Sequence, residues 1–289
     1  MAVERVSVWP APAKINLFLH VLGRRADGYH RLQTVFQLVD LCDQVWIEPC
    51  AEGGIERRGE CPAVAAGEDL SLAAARLLKQ RCGTRQGARI GIDKRIPIGA
   101  GLGGGSSDAA TVLVALNRVW GLALSNAELA AIGLEIGADV PLFVHGHSAW
   151  AEGIGERLQP IELPASWYVL VFPGVSVSTA TIFADPALTR DTPATTISRF
   201  LSGEATRNDL QARVIERHPE VGAALAWLQH FAPARMSGSG SAVFARVATP
   251  EQGSEVVRRC PRGWQAFAVQ GLALSPLAQM VSAGAGSAL

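Results

Sequence analysis

The segment Pro97-Ile98-Gly99-Ala100-Gly101-Leu102-Gly103-Gly104-Gly105-Ser106-Ser107-Asp108-Ala109-Ala110 constrains this chain more than any other. Five glycines fall within seven positions and run into residues that read as a helix start at Ser106. Glycine lacks a Cβ and tolerates positive φ, so such a loop turns sharply and lets a ligand touch the backbone. A helix beginning there aims free N–H groups and a partial positive charge back into the loop. Together these make a pocket for phosphate or another anion. A plain connector accounts for one or two glycines but poorly for five, because each costs conformational entropy.

The rest of the chain narrows which anion. Its formal charge is zero, so nothing draws it globally toward nucleic acid or an anionic membrane, and an anionic ligand must be held by local geometry. With 289 residues, 48% hydrophobic and 18% charged, a globular protein of two domains with a sizeable core is expected. The five cysteines (Cys42, Cys50, Cys61, Cys82 and Cys260) are odd in number and scattered, and His145-Gly-His147 has no other ligand type close by. Reduced thiols and no structural zinc follow. The start, Met1-Ala-Val-Glu-Arg-Val-Ser, has no apolar signal core, and no apolar run approaches a membrane span, which points to a cytoplasmic protein.

Alternation over residues 13–22 predicts a strand, with Ile15, Leu17, Leu19 and Val21 on one face and Lys14, Asn16, Phe18 and His20 on the other. Asp27-Gly28 marks a turn, and short strands are expected at 34–41 and 44–48. Residues 51–67 read as a loop. Asp69 or Ser71 caps a helix running to Lys79, a strand at 89–96 enters the glycine loop, and a helix from Ser106 to Trp120 leaves it. Ser125-Asn-Ala-Glu128 is a capping box for a further helix, which Pro141 stops from continuing past Gly137-Ala-Asp139-Val. Gly153, Gly155, Pro160 and Pro164 suggest a passage between domains, divided as 1–155 and 156–289. Beyond it lie strands at 168–172, 242–247 and 266–272 and helices at 209–217, 221–231 and 251–259, with a second glycine-rich turn at Ser237-Gly-Ser-Gly-Ser241. Helices against an antiparallel sheet make an α+β fold. The tail from Ala283 reads as frayed.

Gly99-x-Gly101-x-x-Gly104 fits the dinucleotide pattern literally, but two helical segments follow it with no acidic strand end, so a dehydrogenase reading is weak. No Gly-Lys-Ser/Thr follows the glycines, which excludes a Walker loop here. His-Arg-Asp and Asp-Phe-Gly are both absent, which excludes a protein kinase. The stretch from Pro97 to Ser107 instead resembles the hallmark Pro-x-x-x-Gly-Leu-Gly-Ser/Gly-Ser-Ser/Gly of the GHMP kinase superfamily. Pro12-Ala-Lys14-Ile-Asn16-Leu-Phe-Leu, Arg25-Ala-Asp-Gly-Tyr29-His30, Gly-Ala-Asp139-Val-Pro141 and Ser237-Gly-Ser-Gly-Ser241 sharpen the resemblance. Within the superfamily they are similar to the family that phosphorylates 4-diphosphocytidyl-2-C-methyl-D-erythritol.

That resemblance implies a two-domain α+β architecture: an amino-terminal ribosomal-protein-S5-like domain, a carboxy-terminal ferredoxin-like domain, and an active site in the cleft between them. It implies an ATP-dependent, cytoplasmic transferase of isoprenoid biosynthesis that phosphorylates the 2-hydroxyl of a substrate carrying a cytidine diphosphate group. Mg²⁺ arrives with ATP, with no acidic protein ligand identified for it. Nucleic acid and membrane are not partners, and the protein is a monomer or weak homodimer. Carried over by motif, Asp139 is the base and Lys14 its partner. A hydroxyl is a poor nucleophile and needs such help. Lys94, Pro97, Ile98, Gly99, Ala100, Gly101, Leu102, Gly103, Gly104, Gly105, Ser106, Ser107 and Asp108 hold the nucleotide. Asp69 lies near adenine, where many members carry Asn. Tyr29 and Phe183 stack on cytosine, His30 hydrogen-bonds to it, and Asn16, Thr179 and Gly238 contact the rest of the substrate. Another small-molecule GHMP kinase, of the homoserine or mevalonate type, or a nonenzymatic nucleotide-binding protein are the alternatives.

Overall fold

The structure, a computed structural model, describes residues 6–51, 53–59 and 69–285; Cys61, most of the expected 51–67 loop and both chain ends lie outside them. β1 (Ser7–Arg24) and β2 (His30–Cys50) form one long antiparallel hairpin. It closes at Gly28, whose φ of +88° suits only glycine comfortably. The two short strands expected at 34–41 and 44–48 are therefore a single strand. Its register runs from Val39↔Ala13 to Cys42↔Pro12, so Asp40 and Leu41 are absorbed as a bulge, and Cys42 and Asp43, between the two expected strands, pair with Pro12 and Ala11. A second irregularity places Leu17 and Phe18 opposite one residue, between the pairs Asn16↔Phe36 and Leu19↔Thr34. This breaks the expected single aliphatic face: Ile15 and Leu19 pack into different clusters, and both Lys14 and Asn16 are buried.

After β3 (Ile55–Arg57), α1 (Leu70–Cys82) starts at its Asp69 cap and stops at Gly83. β4 (Gly87–Asp93) then delivers the chain into the glycine loop. α2 (Gly104–Val119) begins two residues before the expected Ser106, because Gly103 takes the left-handed cap conformation at φ +74°. α3 (Asn126–Leu134) carries the capping box at Ser125 and Glu128, as its spacing predicts. Pro141 opens the next helix, α4 (Val140–His145), where its missing N–H costs nothing. β5 (Ala149–Gly153) and β6 (Arg157–Pro160) form a hairpin, and the expected domain division after residue 155 falls in its turn.

The second half contains β7 (Trp167–Phe172), α5 (Thr179–Phe183), α6 (Ile197–Leu201), α7 (Gln211–Arg217), α8 (Pro219–Gln229), β8 (Ala234–Met236), β9 (Val243–Val247), α9 (Pro250–Arg258), β10 (Gln265–Leu272) and α10 (Pro276–Ala285). The strand order β3-β4-β2-β10-β7-β9-β8, with β1 and β5 on β2, is mostly antiparallel and gives an α+β architecture. β10 pairs along β7 and then, through Gly271 and Leu272, with β2, which joins the two halves.

α1 to α4 cover the amino-terminal sheet over one core rich in α2 residues such as Leu113 and Leu116. Each such side chain, fully buried, contributes roughly 1.5–3 kcal/mol. A separate core lies under α7, α8 and α9. Between them a third cluster joins Ile15, Val39, Tyr168 and Phe244 to Ile96, Ala100 and Leu102 of the glycine loop. The apolar residues of that loop are thus anchors in the seam between the halves, which leaves its glycine backbone to face outward.

Candidate active site

The glycine loop is tied down on both sides. The Lys14 N–H donates to the Leu102 carbonyl at 3.0 Å, and the Ala242 N–H donates to the Ala100 carbonyl at 3.0 Å. At Gly101 a Cβ would lie 2.6 Å from the Ser237 carbonyl oxygen and 2.8 Å from that of Gly240. Ser237 Oγ accepts from the Asn16 N–H and donates to the Gly101 carbonyl. The second glycine-rich turn therefore packs directly on the first. In α2 the Ser107 N–H reaches the Gly103 carbonyl at 2.9 Å, so the N–H groups of Gly104, Gly105 and Ser106 lack intrahelical partners.

These groups face a cavity of about 500 Å³ lined by Asp69, Lys94, Pro97, Ile98, Gly99, Ala100, Gly101, Leu102, Gly103, Gly104, Gly105, Ser106, Asp108 and Thr179. Ser107 sits behind them, fully buried, and among the described residues its Oγ and Asp108 Oδ1 have no hydrogen-bond partner. Lys94 Nζ donates to Asp108 Oδ2 at 2.7 Å and to Asp43 Oδ2. Asp43 Oδ1 accepts from the N–H groups of Arg95 and Ile96, at 2.6 and 2.8 Å. Burial pulls the Lys94 ammonium toward neutrality, but Asp108 and Asp43 outweigh it and raise its pKa. Burial pushes the Asp108 carboxyl up to about 8 against the pull of Lys94, and Asp43 adds to the rise. Asp69 Oδ1 caps α1 by accepting from Ser71 and Leu72, while its Oδ2 holds Arg57 at 2.6 Å. Both oxygens are engaged within the protein.

A larger cavity of about 840 Å³ shares Gly101, Gly103, Ser106 and Thr179 with the first. Where the two meet stands Lys14, only 4% exposed, its Nζ 3.5 Å from Asp139 Oδ2. Lys14 also donates to Asn16 Oδ1 at 2.7 Å and lies 5.3 Å from the centre of the Phe36 ring. Asn16 Nδ2 donates to Thr34 Oγ1, and that hydroxyl donates to the Phe18 carbonyl, which fixes the amide orientation. Asp139 precedes α4 without capping it, so its carboxylate is free to face the cavity, and its side chain is 31% exposed. Gly238, at φ +55°, lies so close to Asn16 and Lys14 that a Cβ would be 3.1 and 3.3 Å from their polar atoms. Thr179 Oγ1 and Ser239 Oγ share a hydrogen bond of 2.6 Å.

At the far end of the cavity Tyr29 is 60% exposed, and Phe183 stacks on His30 with centroids 5.1 Å apart and planes at 28°. Arg190 Nε donates to His30 Nε2 at 2.9 Å. Burial, with Arg190 and Arg24 nearby, holds the His30 imidazole below its ordinary pKa. Of the residues singled out from sequence, Lys14, Asn16, Tyr29, His30, Asp139, Thr179, Phe183 and Gly238 share this cavity, and the others line or underlie its neighbour.

Asp43, Thr34 and Arg190 have no sequence motif to mark them, whereas Ser239 lies inside the Ser237–Ser241 turn without being singled out. Arg190 carried no signal, because its partner His30 is 160 positions away. Among the described residues, no group of three or more His, Cys, Asp and Glu is placed to hold a metal ion, and no helix is long and apolar enough to cross a membrane.

The comparisons with known proteins agree with this geometry. "GHMP kinases N terminal domain" matches residues 69–147 and "GHMP kinases C terminal" matches residues 197–266. The 4-diphosphocytidyl-2-C-methyl-D-erythritol kinase of Alkalilimnicola ehrlichii is 55% identical over 269 residues, 93% of this chain and 92% of that protein. A crystal structure of 4-(cytidine 5'-diphospho)-2C-methyl-D-erythritol kinase superposes with a TM-score of 0.80 at 35% identity, over 92% of this chain and 100% of the other. Homoserine kinase from Cytophaga hutchinsonii, at 16% identity, TM-score 0.66 and coverage of 96% and 98%, shares the fold.

Proposed function

Because the chain belongs to the 4-diphosphocytidyl-2-C-methyl-D-erythritol kinase family of GHMP kinases, we propose that Lys14 and Asp139 form the reacting centre at which its two cavities meet. The protein is a small-molecule kinase that uses ATP to phosphorylate the 2-hydroxyl of 4-diphosphocytidyl-2-C-methyl-D-erythritol, in isoprenoid biosynthesis. The observation that carries the residue assignment is the Lys14–Asp139 pair at 3.5 Å, beside the residues common to both cavities.

The smaller cavity suits a triphosphate. It offers N–H groups at the start of α2 that have no intrahelical partner and a lining of glycine backbone, with Lys94 at its edge and, beneath, the Ser107 Oγ, unpartnered among the described residues. Mg²⁺, carried with ATP, would neutralise phosphate charge there while keeping most of its coordination to phosphate and water. Asp139 then accepts the proton of the substrate hydroxyl. The Lys14 ammonium, held by Asn16 and Asp139, stabilises the negative charge that develops on the transferred group. The larger cavity takes the rest of the substrate, with Asn16, Gly238 and Thr179 on the middle portion and Tyr29, His30 and Phe183 at the cytosine. We place the division between the halves after Pro160, since β6 stays paired to β5 on the amino-terminal sheet.

A coupled assay with ATP, Mg²⁺ and the cytidylated substrate tests the assignment. Asp139→Asn and Lys14→Met should retain the parent's thermal midpoint while kcat falls by about 10²-fold or more. Parent-like kcat in both variants would remove these residues from the chemistry.

A further inference from the structure

Arg190 makes five hydrogen bonds, and each has a consequence for the base end of the larger cavity. Nη2 donates to the carbonyls of Phe183 at 2.9 Å and Asp185 at 2.7 Å; Nη1 donates to those of Leu188 at 3.1 Å and Pro186 at 3.5 Å. Every guanidinium N–H directed at backbone thus holds the turn that follows α5, including the residue whose ring stacks on His30. The fifth bond, from Nε to His30 Nε2, is chemically the most restrictive. Guanidinium is donor-only and is not deprotonated in proteins, so the atom facing it must be an acceptor. A neutral imidazole that accepts at Nε2 carries its proton on Nδ1. That Nδ1 has no partner among the described residues, and His30 lines the cavity.

We propose that Arg190 is a positioning residue that locks His30 as the Nδ1–H tautomer and thereby makes the base pocket select a ring edge presenting an acceptor. Cytosine presents an unprotonated N3, whereas uracil presents an N3–H that would meet the His30 N–H donor to donor. A mismatch of that kind leaves polar groups unpaired, which is where hydrogen-bonding sites discriminate most strongly. Arg190 acts without touching the substrate. This inference rests on the reading that His30 hydrogen-bonds to the pyrimidine.

The tautomer is read directly from side-chain ¹⁵N spectra of the intact enzyme, with His30 assigned through a His30→Gln variant. The parent should show a protonated Nδ1 and an unprotonated Nε2 at neutral pH. A protonated Nε2 in the parent would overturn the proposal without recourse to any variant. In Arg190→Met and Arg190→Gln, which remove the obligate donor, the His30 signals should move toward a mixture of tautomers. The KM ratio of uridylated to cytidylated substrate should fall by roughly tenfold, with the KM for ATP unchanged. Variants that fold, keep the parent's tautomer and keep the parent's ratio would also overturn it. The His30→Gln variant separates the two layers. If it leaves the KM for the cytidylated substrate unaltered, the base reading itself fails and the positioning role fails with it. If it raises that KM while the Arg190 variants change nothing, only the positioning role is lost.

Discussion

Asp108 illustrates how far one buried oxygen reaches. Two carboxylates share the Lys94 ammonium, so the cluster carries one excess negative charge at the wall of a cavity that must receive a phosphate chain. Burial resolves this by keeping a proton on Asp108 up to about pH 8. A carboxyl whose folded pKa is raised binds more protons folded than unfolded above its ordinary range. Its contribution to stability is present at low pH and is lost as pH rises toward 8. Asp108→Asn removes the titrating group, so its thermal midpoint should decline less than the parent's between about pH 4 and about pH 8. Parallel declines would show that Asp108 is not the proton carrier. Asp69 makes the opposite point. Its cap and its Arg57 bond use both oxygens, so Asp69→Asn should cost about 1–2 kcal/mol of stability and leave the KM for ATP unchanged. A raised KM for ATP at unchanged stability would instead put this position at the adenine.

At the scale of elements, what could be read in the sequence was what local chemistry decides. The Ser125–Glu128 box, the Asp69 cap and the glycine loop appear where their residues imply them, because caps and positive φ are settled within a few residues. β2 was not legible as one strand, because the break expected at Cys42 and Asp43 is closed only by their pairing with Pro12 and Ala11 when β1 lies alongside. In the site, the motif residues were legible through resemblance and their partners were not. Asp43 and Arg190 acquire meaning from contacts 51 and 160 positions away. The same distinction predicts how glycines respond to substitution. Gly121 follows α2 at φ +64° in open space, so Gly121→Ala should cost about 1–2 kcal/mol for the left-handed conformation and preserve turnover. Gly101→Ala adds to that strain a collision with the backbone of the second glycine turn, so it should lose both stability and ATP turnover. Equal behaviour of the two variants in denaturant and kinetic measurements would mean that the loops do not interlock as described.

For the whole molecule, the site exists only while both halves hold together, since one wall of each cavity comes from the second half through Thr179. The halves are joined by the β10–β2 pairing, by the apolar seam that includes Ala100 and Leu102, and by a polar tie at Asp209. Asp209 Oδ2 accepts from the Val21 N–H of β1 at 2.7 Å, and its Oδ1 holds Arg207, while the side chain has no exposed surface. The backbone of the same segment pairs with Leu19: its N–H donates to the Leu19 carbonyl at 2.9 Å. Because the seam and the tie cross the same boundary, the parent should unfold in one cooperative transition, with α2 and α8 losing hydrogen-exchange protection together. Asp209→Ala leaves the buried Val21 N–H without an acceptor, which costs about 1–3 kcal/mol. Its denaturation midpoint should fall accordingly, and α8 should open before α2 because the lost bond lies at the boundary and not in either core. An unchanged midpoint, or exchange in which α2 opens first, would place the coupling between the halves somewhere other than this carboxylate.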